Sequence, residues 1–160
     1  MNIITLRAVE PSDYAPIIQV VDEWWGGRAM HDMLPKLFFV HFRETSFIAE
    51  AGGERVGFLI GFLSQTHPKE AYIHFVGVHP KYRLAGVGRR LYDTFFEVVG
   101  AMGCNAVRCV TAPVNKNSIA FHLGMGFTIE PQAITISGVP VCQNYDGPGE
   151  DRVLFVKKLG

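Results

Sequence analysis

The feature that most constrains the fold is a strand that ends at a glycine-containing turn and leads directly into a long helix. Residues 72–78 are rich in β-branched and aromatic side chains and are followed by Pro80, so they predict a strand that stops there. Residues 86–99 place apolar side chains at helical spacing and predict an amphipathic helix. Gly86 and Gly88 stand at its start. A strand joined to a helix in this way predicts an α/β domain.

The glycine turn has the chemistry of an anion-binding site. The first backbone N–H groups of a helix have no intrahelical partner and lie at the positive end of the helix dipole. Because Gly86 and Gly88 have no side chains, a phosphate can approach those amides closely. The same glycines could instead merely relieve crowding at the helix start, and a short glycine pattern does not by itself separate the two interpretations.

Two other phosphate-binding motifs match this turn poorly. A dinucleotide-binding fingerprint needs a third glycine where Leu91 stands, and it normally lies in the first strand–helix unit of a domain. A Walker loop needs Gly-Lys-Ser or Gly-Lys-Thr, which the sequence does not contain. A Rossmann domain that binds NAD is therefore a weak alternative.

The remaining periodicity predicts a mixed sheet flanked by helices. We expect a strand, two helices, three strands, the long helix, a strand, a short helix and two further strands, in that order. Their approximate ranges are 3–7, 13–21, 33–42, 46–50, 55–63, 72–78, 86–99, 106–111, 118–123, 127–136 and 152–157. No interior linker divides the chain, so residues 1–160 are expected to form a single domain.

Composition limits the classes of function. Lysine plus arginine (15) equals aspartate plus glutamate (15), which gives no support to a nucleic-acid-binding face. No apolar run approaches the ~20 residues of a membrane helix, and the N-terminal residues do not resemble a signal peptide. The cysteines Cys104, Cys109 and Cys142 form no CxxC pair, and no metal-ligand spacing is visible. We therefore expect a soluble, cytoplasmic protein without a metal, a membrane partner or a nucleic-acid partner.

Two segments resemble the signature motifs of the GCN5-related N-acetyltransferase (GNAT) superfamily. Residues 83–88, Arg-Leu-Ala-Gly-Val-Gly, resemble the family's Arg/Gln-x-x-Gly-x-Gly/Ala signature and follow the usual Val-x-Pro strand end. Residues 115–127 resemble its Asn-x-x-Ala-Ile-x-Leu-Tyr-x-x-x-Gly-Phe segment. One helix and one strand lie between the two, as in the family. The resemblance covers residues 46–127 well and the flanks only by element order.

This resemblance implies the acyl-CoA N-acyltransferase (GNAT) fold and acetyl-CoA as cosubstrate. The fold is α/β (α+β mixed), with a mostly antiparallel sheet of about seven strands, about four flanking helices and splayed central strands. In the family, main-chain groups freed by the splay bind pantetheine, which places Val76 and Val78 against it. Asn115, Ser118 and His122 would contact the cosubstrate further along. The expected diphosphate-binding residues are Arg83, Leu84, Ala85, Gly86, Val87, Gly88 and Arg89.

Acetyl transfer to an amine needs a base for the ammonium proton and benefits from an acid at the departing thiolate. Many family members use a tyrosine as the acid, at the position of His122. The resemblance implies His122 as the acid, with a structural or cofactor-contacting role as the alternative. Strand alternation predicts that His74 shares a face with Val76 and Val78, which makes it the candidate base. A partly buried, satisfied histidine is the other interpretation of His74.

The acceptor site of family members is built by two loops. In the first, Trp24 and Trp25 stand beside two glycines with Asp22 and Glu23 just upstream, and could form an aromatic wall that attracts a cation. Trp24 could equally belong to the core, and Trp25 to a lid or a dimer contact. The second is the loop between the last two strands, and its candidate acceptor-binding residue is Tyr145. The sequence does not decide whether the protein forms a homodimer.

Together these features predict an N-acetyltransferase that moves the acetyl group of acetyl-CoA to a primary amine of an unidentified acceptor. The transfer is expected to be direct, in a ternary complex, because Cys109 is the one nucleophile on a strand near the expected cleft and is expected to be a core residue. The alternative is a catalytically weak acetyl-CoA-binding sensor or partner subunit, since the family's tyrosine is missing.

Overall fold

The computed structural model describes residues 3–160, which contain four α-helices and nine strands. The strands are β1 (Ile4–Ala8), β2 (Phe47–Ala51), β3 (Glu54–Leu63), β4 (Glu70–Val78), β5 (Ala106–Thr111), β6 (Thr128–Ile129), β7 (Ile134–Ile136), β8 (Val139–Val141) and β9 (Val153–Lys158). The helices are α1 (Tyr14–Trp24), α2 (Leu37–His41), α3 (Val87–Ala101) and α4 (Lys116–Gly124). Short 3-10 turns cover Pro11–Asp13, His31–Met33, Arg43–Thr45 and Pro80–Ala85.

Seven of the strands form one sheet in the order β1-β2-β3-β4-β5-β9-β6. Strands β4 and β5 are parallel, and the other neighbours in this sheet are antiparallel. The remaining two strands, β7 and β8, pair with each other as a separate hairpin. The predicted mixed, mostly antiparallel sheet of seven strands flanked by four helices is confirmed.

The two central strands separate soon after they meet. Strand β4 pairs with β5 only at Glu70↔Ala106, Ala71↔Val107 and Tyr72↔Arg108, although β4 continues to Val78 and β5 to Thr111. Beyond Tyr72 the strands therefore diverge, and main-chain groups on the facing edges are not used for sheet pairing. The predicted splay is confirmed, and it opens the sheet at its centre.

The sheet separates two apolar clusters. One lies under α3 and α4 and includes Leu59, Ile73, Leu91, Phe95 and Phe155. The other lies under α1 and α2 and includes Val21, Trp24, Phe39, Phe58 and Phe75. Each face of the sheet thus buries its own helices, as a two-sided α/β layer requires.

Helix α1 is fixed to the sheet by a buried ion-pair network. The Asp13 carboxylate accepts hydrogen bonds from Arg7 at 2.8 Å and from Arg55 at 2.8 Å. Burial opposes ionisation of this carboxyl, but the hydrogen bonds from both arginines outweigh it and lower the pKa of Asp13 to about 2. The network holds the start of α1 against β1 and β3, which fixes where the C-terminal end of α1 arrives.

Three predicted elements differ from those observed. The expected strand at residues 127–136 is divided: Glu130 N–H makes the last bond to β9, to Leu154 O at 2.8 Å, and Arg152, the next residue of the ladder, pairs with Cys142 instead. The chain then leaves the sheet and forms β7. The expected helix at residues 33–42 begins only at Leu37, after Pro35, and α1 runs past Val21 to Trp24. No helix among residues 3–160 is both long enough and apolar enough to cross a membrane.

Candidate active site

The splay opens into a cleft of about 860 Å³ between β4, β5, α3, α4 and the loop after α1. The cleft brings together most of the residues singled out from the sequence. These are Trp24, Trp25, His74, Val76, Val78, Arg83, Leu84, Gly86, Gly88, Arg89, Asn115, Ser118 and His122. The side chains of Ala85, Val87 and Tyr145 do not line it; that of Val87 is fully buried in the core.

One end of the cleft is a turn made of backbone. The 3-10 turn Pro80–Ala85 ends at Gly86, and α3 begins at Val87. The helical ladder starts with Arg90 N–H donating to Gly86 O at 3.1 Å, so the amides before Arg90 precede the ladder. They lie at the positive end of a fifteen-residue helix. The local geometry is that of an anion site.

The two glycines of this turn serve different purposes. Gly86 has φ +79°, a conformation that other residues rarely adopt. Gly88 has ordinary helical geometry, and a Cβ there would meet the Phe121 ring at 3.5 Å and Val78 Cγ2 at 3.9 Å, which are normal contacts. At both positions the surrounding atoms leave room for a methyl group, so crowding explains neither glycine. The positive φ explains Gly86. Gly88, where alanine would favour the helix, fits the close approach of a ligand.

The next part of the cleft is the free edge of β4. His79 N–H donates to Val56 O in β3 at 2.8 Å, so alternation turns the main-chain groups of Val78 and Val76 away from β3 and into the gap. The Val76 carbonyl does point there, because it accepts a hydrogen bond from Trp25 Nε1 at 3.2 Å. The edge of β4 thus presents donors and acceptors to anything that lies in the gap.

A β-bulge changes the face of His74. The register between β3 and β4 runs from Ile60↔Phe75 directly to Gly61↔Ile73, which leaves His74 as an extra residue. Its ring stacks on Phe38 at 4.5 Å, on the α2 side of the sheet. The prediction that His74 shares a face with Val76 and Val78 is wrong, because the bulge interrupts the alternation.

His74 nevertheless lines the cleft, because the gap between the strands opens to both faces. Its Nε2 lies 2.6 Å from Met33 O. Since a carbonyl only accepts hydrogen bonds, this nitrogen carries the proton, and Nδ1 keeps a lone pair. His74 is thus held in the tautomer that a proton acceptor needs.

His122 is buried, and both of its ring nitrogens are engaged. Nδ1 donates to Ser118 O at 2.7 Å, and Nε2 accepts from the Tyr92 hydroxyl at 2.8 Å. The ring stacks on Phe155 at 4.8 Å. Burial lowers the pKa of His122, so the imidazole is neutral and its one proton is held by the Ser118 carbonyl. This geometry favours the structural interpretation of His122 over a role as the acid.

Tyr92 is the cleft residue that the sequence analysis missed. It lies on the buried stripe of α3, and burial raises its pKa well above the ordinary value. A buried tyrosine hydroxyl needs a partner, and that requirement is the one signal that would have linked it to a histidine elsewhere. Cys109 also lines the cleft, and burial raises the pKa of its thiol, so it is a core thiol and not an activated nucleophile.

The two tryptophans have separate environments. Trp24 is only 5% exposed and stacks on Phe58, as the interpretation of this residue as part of the core expects. Its carbonyl accepts a hydrogen bond from Arg83, which ties the end of α1 to the glycine turn. Trp25 is half-buried, stacks on Phe75 at 5.1 Å and bonds the edge of β4.

The carboxylates upstream of the tryptophans do not face the cleft. Asp22 accepts hydrogen bonds from Met30 N–H at 2.7 Å and His31 N–H at 2.9 Å, and it pairs with the His31 ring at 2.9 Å. The hydrogen bond with His31 lowers the pKa of Asp22 and raises that of His31. Among the described residues that line the cleft there is no Asp or Glu, and its permanent charges are those of Arg28, Arg83 and Arg89.

Two further candidates have defined places. Asn115 caps α4 through a hydrogen bond from Ser118 N–H to its side-chain oxygen at 3.2 Å. Tyr145 lies on the exposed loop between β8 and β9, 46% exposed. Within residues 3–160, no group of three or more His, Cys, Asp or Glu side chains is arranged to hold a metal ion.

Comparison with known proteins identifies a family and several relatives. The family model described as "Acetyltransferase (GNAT) family" matches residues 12–127. The L-2,4-diaminobutyric acid acetyltransferase of Nocardia farcinica is 34% identical over 79 residues, which are 49% of this chain and 41% of that protein. The protein of the same name from Methylotuvimicrobium alcaliphilum is 28% identical over 92 residues, 58% of this chain and 54% of that protein. The chain thus spans about half the length of these curated relatives.

Solved structures resemble the whole fold. Ard1 from Thermoplasma volcanium has a TM-score of 0.77 at 20% identity and covers 98% of each chain. The diaminobutyrate acetyltransferase from Paenibacillus lautus, solved with L-2,4-diaminobutyric acid and coenzyme A, has a TM-score of 0.74 at 19% identity, over 99% of this chain and 96% of that one. Such identities show a common fold, and the family model covers more than half of the sequence. The chain therefore belongs to the acetyltransferase (GNAT) family.

Proposed function

We propose that the protein is an N-acetyltransferase that moves the acetyl group of acetyl-CoA directly onto a primary amine. One feature of the molecule carries this proposal. A single cleft is lined by the start of α3, the free edge of β4 and the side chain of His74. These three parts of the cleft can bind an anion, position an extended ligand and remove a proton, respectively.

The residues at the glycine turn fit the diphosphate of CoA. A Cβ at Gly86 would meet no atom within 4 Å, so the turn is open there, and Arg83 and Arg89 add positive charge. The main-chain groups of Val76 and Val78 would hold the pantetheine arm as an added strand is held. Acetyl-CoA would supply an acetyl carbonyl activated as a thioester.

His74 is the proposed general base. Its Nδ1 lone pair can take the proton that an ammonium must lose before its nitrogen can attack. The new C–N bond replaces the C–S bond of the thioester. The base holds the first ammonium proton, and the second proton leaves the nitrogen as the amide forms and protonates the departing thiolate, whose pKa is about 8.5 for an ordinary thiol. Because Cys109 is buried and holds its proton, an acetylated cysteine is not part of the proposal.

The acceptor is proposed to be a small amine that also carries a carboxylate. Several relatives are named for L-2,4-diaminobutyric acid, which has both groups. The described lining of the cleft has no carboxylate that would favour a polycation, whereas Arg28 is exposed at the loop after Trp25. A cytoplasmic location, expected from the three free cysteines, is part of this proposal.

Release of free thiol from acetyl-CoA in the presence of an amine tests the activity. The first pair to compare is 2,4-diaminobutyrate and 1,3-diaminopropane, which differ only by the carboxylate. Faster thiol release with the amino acid supports the proposed acceptor, and equal or faster release with the diamine contradicts it. A broader panel of amines then tests the transferase activity itself.

The alternative is a protein that binds acetyl-CoA without transferring its acetyl group. One observation favours it: both nitrogens of His122, at the family's tyrosine position, are bonded within the protein. Calorimetry with acetyl-CoA separates the two functions when it is combined with the thiol assay. Binding without thiol release for any amine of the panel favours the sensor, and binding with release establishes the enzyme.

A further inference from the structure

We propose that Trp25 forms the end wall of the acyl pocket and restricts the protein to short acyl groups. This inference rests on the proposed function, because it assumes that an acyl-CoA lies in the cleft. The half-buried Trp25 indole would determine acyl-chain specificity because it lies at the end of the β4 edge most distant from the glycine turn.

The direction of a ligand in the gap follows from where the anion site lies. The Gly88 position is adjacent to Val78, since a Cβ at Gly88 would lie 3.9 Å from Val78 Cγ2. A ligand with its diphosphate on the turn therefore enters the gap beside Val78 and runs along the β4 edge toward Val76. The acyl end is the end most distant from the turn.

The gap is closed beyond Val76. Strands β4 and β5 rejoin at Tyr72↔Arg108, which forms the floor. Trp25 lies on the α1 side of this end of the gap: it donates Nε1–H to the Val76 carbonyl at 3.2 Å and stacks at 5.1 Å on Phe75, the next residue of β4 toward the floor. An acyl chain that extends past Val76 meets the indole.

The indole is held in place by the loop that carries it. Gly27 N–H donates to Asp22 O at 2.8 Å, and the Asp22 carboxylate binds the amides of Met30 and His31. On the other side, Arg83 bonds the Trp24 carbonyl. Because the residues on both sides of Trp25 are fixed and its own N–H is bonded, the ring is a wall and not a freely rotating side chain.

Adding methylenes to an acetyl group against a fixed wall forces overlap, whereas removing the wall restores space. A pocket of this kind discriminates by about tenfold or more per methylene. We therefore expect butyryl-CoA to bind the native protein at least about tenfold more weakly than acetyl-CoA. Free CoA, which has no acyl group, provides the reference for the rest of the cleft.

Calorimetric affinities for CoA, acetyl-CoA, propionyl-CoA and butyryl-CoA test the wall without any knowledge of the acceptor. Trp25→Ala is expected to bring the butyryl-to-acetyl ratio of Kd close to one, and Trp25→Phe, which keeps a ring on Phe75, to give an intermediate ratio. Phe62→Ala removes a half-buried aromatic of β3 that does not line the cleft, and it is expected to leave the ratio unchanged. If Trp25→Ala is too unstable to purify, the Phe variant decides alone.

The outcomes separate the two levels of proposal. If no CoA species binds, the proposed function fails. If CoA and acetyl-CoA bind but Trp25→Ala leaves the butyryl-to-acetyl ratio unchanged, the end wall is refuted while the proposed function stands. An equal gain in affinity for all four ligands would also refute it, since the indole would then only compete for the Val76 carbonyl.

Discussion

The two ends of the cleft are built in different ways. At the glycine turn the binding groups are main-chain amides of one continuous segment, from Pro80–Ala85 into α3. The other end is lined by side chains from four distant parts of the chain: Trp25 after α1, His74 in β4, Tyr92 in α3 and His122 in α4. The first end needs a local conformation, and the second needs the whole fold.

The two ends also differ in character: the turn end carries positive charge, and the inner end is buried and apolar. The turn end offers a helix dipole and two arginines, which attract an anionic group whatever the rest of the ligand is. The inner end is largely apolar, and its histidines are fixed by hydrogen bonds to Met33 O and Ser118 O. Changes at the turn should therefore alter affinity, and changes at the inner end should alter rate, selectivity or stability.

The largest effect is expected for Gly88→Glu at the turn. A carboxylate at a helix N-terminus favours the helix itself, but it repels a diphosphate and fills the space above the amides. We expect the Kd of acetyl-CoA to rise about 100-fold or more. Calorimetry measures it, and Gly100→Glu, in the same helix with no atom near its position, is the matched control. Unchanged affinity in Gly88→Glu would contradict the anion site.

The next effect concerns the base at the inner end. His74→Gln can keep a hydrogen bond to Met33 O but cannot take a proton, so we expect kcat/KM to fall about 100-fold at neutral pH. The loss should shrink at high pH, where the acceptor amine is already deprotonated in solution and needs no base. Profiles of rate against pH measure this, with His67→Gln on an exposed turn as control. A loss that is independent of pH would rule out the base.

A smaller effect is expected when the buried pair is broken. Tyr92→Phe leaves the His122 Nε2 acceptor without its partner, which should lower the free energy of unfolding by about 1–3 kcal/mol. Denaturant unfolding measures the loss, and His122→Phe with the double variant gives the coupling. If Tyr92→Phe instead abolished turnover with no loss of stability, the tyrosine would be the missing acid and not a structural partner.

The smallest effect is a pair of opposite pH dependences. His122 has a lowered pKa, so below its ordinary value of about 6.5 the unfolded chain takes up a proton that the folded protein does not, and stability falls as pH drops. His31 has a raised pKa, so its contribution is present at low pH and is lost as pH rises. His122→Gln should flatten the fall in unfolding free energy between pH 7 and 5, and His31→Gln should steepen it slightly. The same change in both variants would contradict these environments.

Much of the fold followed from the periodicity of the sequence. Strand β5 was predicted at its observed bounds, and α3 within two residues at its C-terminal end, because each has a long apolar pattern of one period. The predictions failed where pairing between distant segments outweighed the pattern. Arg152 pairs with Cys142, which ends the expected strand after Glu130, and the bulge at His74 moves a candidate base to the other face of the sheet.

The local part of the site was predicted well and its long-range contacts were not. The turn around Gly86 and Gly88 could be read directly, since its amides lie within one short segment. The contacts of His122 could not, because its environment is set by Tyr92, thirty residues away in sequence, and by the ring of Phe155. The sequence left open whether Trp24 belongs to the core, because α1 extends about one turn further than its apolar pattern indicates.

By itself the sequence determined the order of elements, the strand–turn–helix unit and the family to which the chain belongs. Those properties depend on hydrogen bonds and side-chain spacing between residues that are near neighbours in the chain. Only the tertiary structure decided the face of His74, the protonation of His122 and the position of the Trp25 indole. Each of these is set by register, burial and contacts between distant segments, which no local pattern of residues records.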